Sequence, residues 1–265
     1  MTEWLKNRPK YLVLLSAFLG VLILYWDYFL NSKIFYSADN YPFFYVMQKY
    51  FFDALKDSGN LTFWVPYVNL GTSFLYNPAT GIYYLPNYVQ ALLPSQFVMH
   101  FFWVLHIGFL VWALYRWAKN SGAALEIQVL VPSLFAGAAI THIFSVTQIA
   151  YLYGMTWSAC VLSELSGGFK TKWSLPRFLI FWIFLMGNGE VFSVFLTGVA
   201  VGVLLLSRRD WKTITVFGVT SLFAALIMYG QSTLILPYTD RAQGLEREMR
   251  MAFSFHPYRL LTWFS

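Results

Sequence analysis

Cysteine, charge and the common catalytic signatures are all scarce in this chain. Its 265 residues include one cysteine, Cys160. A single thiol excludes an intramolecular disulfide and a metal cluster built on thiols alone. Cys160 lies in an apolar run and reads as a small packing residue. Charged residues make up 11% of the chain, against about 25% in an ordinary soluble domain. No HExxH, Walker loop, GxSxG or paired CxxC occurs. Of the four histidines, His100 and His106 are six apart. That spacing misses the i,i+3 and i,i+4 pattern that puts two ligands on one helix face. His142 stands alone, and no internal repeat is visible. Soluble enzyme, disordered chain, nucleic-acid binder and disulfide scaffold are excluded together.

What the chain has in abundance is apolar and aromatic surface: 58% hydrophobic residues, with 26 Phe, 18 Tyr and 11 Trp. Six apolar stretches stand out: Tyr11–Leu30, Gln96–Trp117, Ala123–Phe144, Thr147–Leu165, Phe178–Leu206 and Thr213–Leu236. Most are about 20 residues, enough to cross ~30 Å of hydrocarbon. The expected fold class is all-α, a polytopic transmembrane helix bundle. Met1–Lys10 is basic, but the apolar run after it is too long for a signal-peptide core, so it reads as a retained first helix.

Basic residues set the expected orientation. Lys6, Arg8 and Lys10 place the N-terminus in the cytoplasm, and the following stretches then alternate. Phe178–Leu206 is the exception, because it is basic at both ends. It also has 29 residues, roughly 44 Å as one straight helix. Gly187-Asn188-Gly189-Glu190, poor helix formers, interrupt its middle. The expectation is two short helices in a hairpin whose tip points away from the cytoplasm. That layout puts eleven Lys/Arg and four Asp/Glu inside, a balance of +7, and leaves −1 outside. The net charge of +6 is then a topology signal and requires no polyanion partner.

The expected outer face carries the candidate chemistry. The loop from Asn31 to Ser95 is too aromatic for a linker. Tyr41–Lys56 places Phe43, Phe44, Met47, Phe51, Ala54 and Leu55 on one side and reads as an interfacial helix. From Asn60 to Pro94, turn formers alternate with aromatic rings, which suggests a compact loop. Asp39 precedes the interfacial helix, where a carboxylate could accept a hydroxyl proton or hold a divalent cation. Asp39 or Asn40 equally suits the cap of that helix. Glu190 marks a site or is a hairpin tip reaching water. Arg247 and Arg250 lie in an alternating charge run that either binds a phosphate through forked hydrogen bonds or is a solvated helix face.

Taken together, Asp39, the aromatic helix and the loop residues Trp64, Gly71, Asn77, Tyr84 and Pro86 resemble the YfhO-like bacterial membrane proteins of the GT-C glycosyltransferase superfamily. Gly187-Asn188-Gly189-Glu190 is similar to that family's Gly-His-Pro-Gln/Glu segment, with His and Pro replaced. Phe255–Thr262 resembles the stretch leading into the family's next helix. The resemblance implies an inverting transfer of a sugar from a polyprenyl-phosphate donor to a cell-envelope glycan or lipid. It places the active face on the extracytoplasmic side of the bacterial inner membrane. Asp39 and Glu190 would be the catalytic carboxylates. Asp39 would also be the partner of a divalent cation, Mg or Mn. Arg247, Arg250, Trp64, Asn77, Tyr84, Asn188 and His256 would bind substrate. Family members are longer, so residues 1–265 are expected to form one module, with 31–95 as its outer loop, cut short at the C-terminus. Two other functions fit the same stretches: a transporter with its site at the broken helix, and a non-catalytic assembly subunit.

The hairpin has a direct test. With Cys160 replaced by alanine, a cysteine at Ser207 should stay unlabelled by an impermeant maleimide in intact cells. Rapid labelling would mean that the stretch crosses straight through.

Overall fold

The computed structural model describes residues 46–59, 64–65, 72–73, 81–92, 95–137, 149–188 and 190–228, with six positions near the N-terminus: Tyr11, Leu15, Ser16, Leu19, Gly20 and Ile23. These residues form an all-α protein with seven helices: α1 Val46–Ser58, α2 Ser95–Asn120, α3 Leu125–Gly137, α4 Ile149–Ser166, α5 Ser174–Gly187, α6 Val191–Arg208 and α7 Trp211–Met228. A 3-10 helix, Leu85–Leu92, precedes α2. A two-residue antiparallel ladder pairs Trp64 with Ser73 and Val65 with Thr72. Among the described residues no helix is long and apolar enough to cross a membrane.

Helices α2 to α7 follow the apolar stretches, and glycines stop two of them. Gly122, at φ +74°, turns the chain after α2, and Gly168, at φ +69°, does so after α4. Such angles favour glycine because a Cβ would clash there. Asp210 starts α7: its two carboxylate oxygens accept the Thr213 N–H at 3.1 Å and the Thr213 hydroxyl at 2.7 Å. Those bonds, the hydroxyl's first, hold the Asp210 carboxyl below its ordinary range, as expected for a charged helix cap.

Contacts between side chains fix the directions. The Thr156 hydroxyl donates to the His106 carbonyl at 3.2 Å, and Arg116 pairs with Glu164, so α2 and α4 run the same way. Against α4, α5 runs in reverse: the rings of Trp157 and Phe181 stack at 5.7 Å, and Arg177 meets Glu164. The Thr197 hydroxyl donates to Ser158 at 2.7 Å, and Arg208 Nη1 donates to the Leu165 carbonyl at 2.6 Å, so α6 returns alongside α4. Finally, α7 follows α5, with Trp182 Nε1 on the Ser221 hydroxyl at 2.9 Å. The predicted interruption at residues 187–190 is therefore a reversal, and α5 and α6 form an antiparallel hairpin.

One consequence is a strict separation of charge. All eight Lys/Arg between residues 95 and 228 belong to the turns α2–α3, α4–α5 and α6–α7, at one end of the bundle. Glu126, Glu164 and Asp210 join them there, and Glu190 alone is charged at the opposite end of these helices. Glu164 is 1% exposed and is held by two arginines. Arg116 Nη1 reaches its Oε1 at 2.6 Å, while Arg177 clasps both oxygens, Nε at 2.8 Å and Nη2 at 3.1 Å. The bonds raise the Arg177 guanidinium above its ordinary value. A buried carboxylate without such partners would be strongly unfavourable.

The core lies between α2, α4 and α5, built on Trp103, Ile107, Leu152, Trp157, Phe178 and Leu185. A second, smaller cluster joins Phe51, Phe52 and Ile82 beneath α1. The expected helix at Tyr41–Lys56 is described from Val46, and its start lies outside the described residues. Phe51 falls on the buried side as expected, and Phe52, outside the expected stripe, is buried with it.

Replacing Glu164 with alanine removes the shared partner of Arg116 and Arg177. Both arginines are partly exposed and can turn to water, so the expected loss is about 2 kcal/mol, below the full cost of a stranded buried charge. It should appear as a lower thermal unfolding midpoint in detergent. An unchanged midpoint would refute the role given to this carboxylate.

Candidate functional site at the helix break

The opposite end of the bundle is organised by the segment Gly187-Asn188-Gly189-Glu190. Helix α5 ends at Gly187, and the Asn188 N–H closes its last turn on the Phe184 carbonyl at 3.2 Å. The chain then becomes extended, with Glu190 at φ −88° and ψ 91°. The Glu190 carboxylate folds back on α6: Oε1 accepts the Phe192 N–H at 3.1 Å, and Oε2 accepts the Ser193 N–H at 2.5 Å. Asn188 Oδ1 accepts the Glu190 N–H at 2.7 Å. First-turn N–H groups of a helix lack partners of their own and carry partial positive charge, so a carboxylate there is doubly favoured.

Two glycines let this segment sit so deep. A Cβ on Gly154 would lie 2.6 Å from Ser193 Oγ and 3.2 Å from Glu190 Oε2. A Cβ on Gly187 would lie 2.6 Å from the Tyr83 carbonyl oxygen. Gly154 thus admits the start of α6 against α4, and Gly187 admits the loop at residues 83–84 against the end of α5. Asn188 is 2% exposed and Glu190 8%. Among the described residues, Asn188 Nδ2 finds no acceptor.

The loop is seated by a buried polar chain. Tyr84 is fully buried. Its hydroxyl bonds to His106 Nε2 at 2.5 Å and accepts the Trp157 indole N–H at 2.7 Å. His106 Nδ1 lies 2.5 Å from the Phe102 carbonyl, which can only accept. The proton is therefore on Nδ1, Nε2 is the acceptor, and Tyr84 donates to it. Tyr153 stacks on the imidazole, with ring centroids 3.9 Å apart. Burial pushes the Tyr84 hydroxyl well above its ordinary range, which keeps it a donor. Beside it, Asn87 Nδ2 donates to the Gly81 carbonyl at 3.0 Å, closing the turn at Gly81, whose φ is +69°.

The structure therefore brings three of the sequence candidates, Tyr84, Asn188 and Glu190, to one end of the bundle. Tyr84, expected to bind substrate, is a core residue with its hydroxyl bonded on both sides. Glu190, expected to act chemically, is bonded as a helix cap, each oxygen holding a backbone N–H. Trp64 is described in its backbone, in the short ladder with Ser73. Asp39, Asn77, Arg247, Arg250 and His256 lie outside the described residues. Among the described residues no group of three His, Cys, Asp or Glu could hold a metal ion. Asp39, the residue that the resemblance implies as the partner of a divalent cation, lies outside the described residues.

Sequence reasoning set His106 aside for its spacing to His100 and took Glu164 only as one of the inside charges. His106 carries no spacing signal, because its partners Tyr84 and Trp157 are 22 and 51 positions away. Glu164 was detectable as a carboxylate inside an apolar stretch. No family model, curated protein or solved structure matches the chain.

Substituting Tyr84 with phenylalanine strands the Trp157 N–H and His106 Nε2 in the core. The expected cost is about 2 kcal/mol, read as a fall in the unfolding midpoint. Tyr88→Phe, at a half-buried ring nearby, should do much less. Equal effects would show that the hydroxyl anchors nothing.

Proposed function

We propose that this chain is a polytopic membrane protein of the GT-C type, transferring a sugar from a polyprenyl-phosphate donor at the bundle end that carries Glu190. The observation behind the membrane reading is the apolar surface of α6 and α7. Phe192, Phe195, Leu196, Val199, Val203 and Leu206 are 51–65% exposed, at helical spacing along α6. Val219, Leu222, Phe223 and Leu226 on α7 are 63–66% exposed. Large contiguous apolar faces of this kind are unstable against water and match lipid. Each of these helices has 18 residues, or about 27 Å, just short of the ~30 Å hydrocarbon core. The apolar sequence also continues past the described parts of α3 and α7, to Phe144 and Leu236. The separation of charge supports the same reading, with the basic end in the cytoplasm.

The sugar-transfer reading rests on the resemblance and on the polar segment at the other end. A donor with its lipid tail in the bilayer would present its phosphate at that surface. The acceptor hydroxyl attacks the anomeric carbon, its proton passes to the Asp39 carboxylate, and the bond to the donor phosphate breaks with the electron pair leaving on that phosphate. Arg247 and Arg250 would bind the phosphate through forked hydrogen bonds. Trp64, Asn77 and His256 would contact the sugars. Glu190 and Asn188 serve as positioning residues that fix the start of α6, and Tyr84 holds the loop in place.

Asp39→Asn keeps the size of the side chain and removes the base. With a polyprenyl-phosphate sugar as donor, the rate of transfer should fall ~10²–10⁴-fold, while donor binding is retained. Undiminished transfer would eliminate Asp39 as the base.

A further inference from the structure

The basic end carries a second pattern that the sugar-transfer reading does not use. Among the described residues three tryptophans are exposed: Trp117 at 43%, Trp173 at 61% and Trp211 at 65%. Each is next in sequence to a basic residue, as Arg116-Trp117, Lys172-Trp173 and Trp211-Lys212. One pair closes α2, one precedes α5 and one opens α7, so the pairs are spread over three helix connections at the same end.

The charges there are unbalanced. Eight basic residues face three acidic ones. Glu164 is consumed by Arg116 and Arg177, and Asp210 is bonded to Thr213. Arg208 is tied to the Leu165 carbonyl. Lys119, Lys170 and Arg209 are exposed and have no carboxylate partner among the described residues, and Lys212 is exposed beside Asp210. Lys172 lies over the Trp173 ring, 5.8 Å from its centroid. Indole rings favour the headgroup level of a bilayer, with the ring in the apolar edge and the N–H in the polar layer. Lysine and arginine at that depth meet phosphates.

Building on the membrane reading above, we propose that this end is a collar that binds the headgroups of acidic phospholipids. The tryptophans set the depth, and the exposed Lys119, Lys172, Arg209 and Lys212 hold the lipid phosphates. The surplus positive charge found in the sequence then has a ligand: the anionic leaflet that faces it.

The test uses the whole chain in vesicles of phosphatidylcholine containing either brominated phosphatidylglycerol or brominated phosphatidylcholine at equal fraction. Bromine quenches nearby tryptophan. The expected result is stronger quenching by the brominated acidic lipid, lost in high salt and lost when Lys119, Lys172, Arg209 and Lys212 are all changed to glutamine. Removing each charge should weaken lipid enrichment by about fivefold, the equivalent of ~1 kcal/mol. Changing the three lysines to arginine should preserve it. Equal quenching by both lipids in protein that floats with the vesicles would overturn the collar and leave the membrane reading intact. Failure to float with either vesicle would overturn the membrane reading itself. Release of the lipid by millimolar soluble glycerol phosphate would also overturn the collar, since a free phosphate would then be the ligand.

Discussion

The carboxylate of Glu164 is the point on which the bundle turns. It is buried in α4 and grips Arg116 from α2 and Arg177 from the start of α5. Three helices meet at one charge. Charge-assisted hydrogen bonds of this forked kind are directional. They set the level at which α2, α4 and α5 stand relative to each other. The nearby bond from Arg208 to the Leu165 carbonyl brings the end of α6 to the same level. With that end fixed, the reversal at residues 187–190 must fall at the other.

The far end is tied by different means. No ion pair joins the helices there among the described residues. Instead, backbones approach closely at Gly154 and Gly187, and neutral hydrogen bonds run through Tyr84, His106 and Trp157. A charged network locks one end, and an aromatic, uncharged one seats the loop at the other. A charge is tolerable where arginines can still touch water, and costly where rings close over the site.

Much of this was legible in the sequence. Apolar stretches and basic ends give the helices, and Gly187-Asn188-Gly189-Glu190 gives the break, because those residues are poor helix formers. The division of charge follows from the same alternation. What was not legible depends on distance along the chain. Arg116 lies 48 positions from Glu164, and Trp157 lies 73 from Tyr84. No periodicity relates such pairs, so their partnership exists only after folding. Glu190 shows the same limit in miniature. Its place in a helix break suggested a reactive carboxylate, and the local geometry adds a cap on the first turn of α6, each oxygen accepting one backbone N–H.

The contact at Gly187 carries a lesson about order in time. Residues 81–84 are made after α1, on which Ile82 packs, and before the later helices that seat Tyr84. Their seat needs Trp157 from α4, and it closes only when the end of α5 presents a bare Cα to the Tyr83 carbonyl. The Tyr84 ring must therefore wait uncovered while α2 to α5 are synthesised. The loop's assembly is a late event in the life of the chain, and the missing side chain at position 187 is the latch that ends the wait.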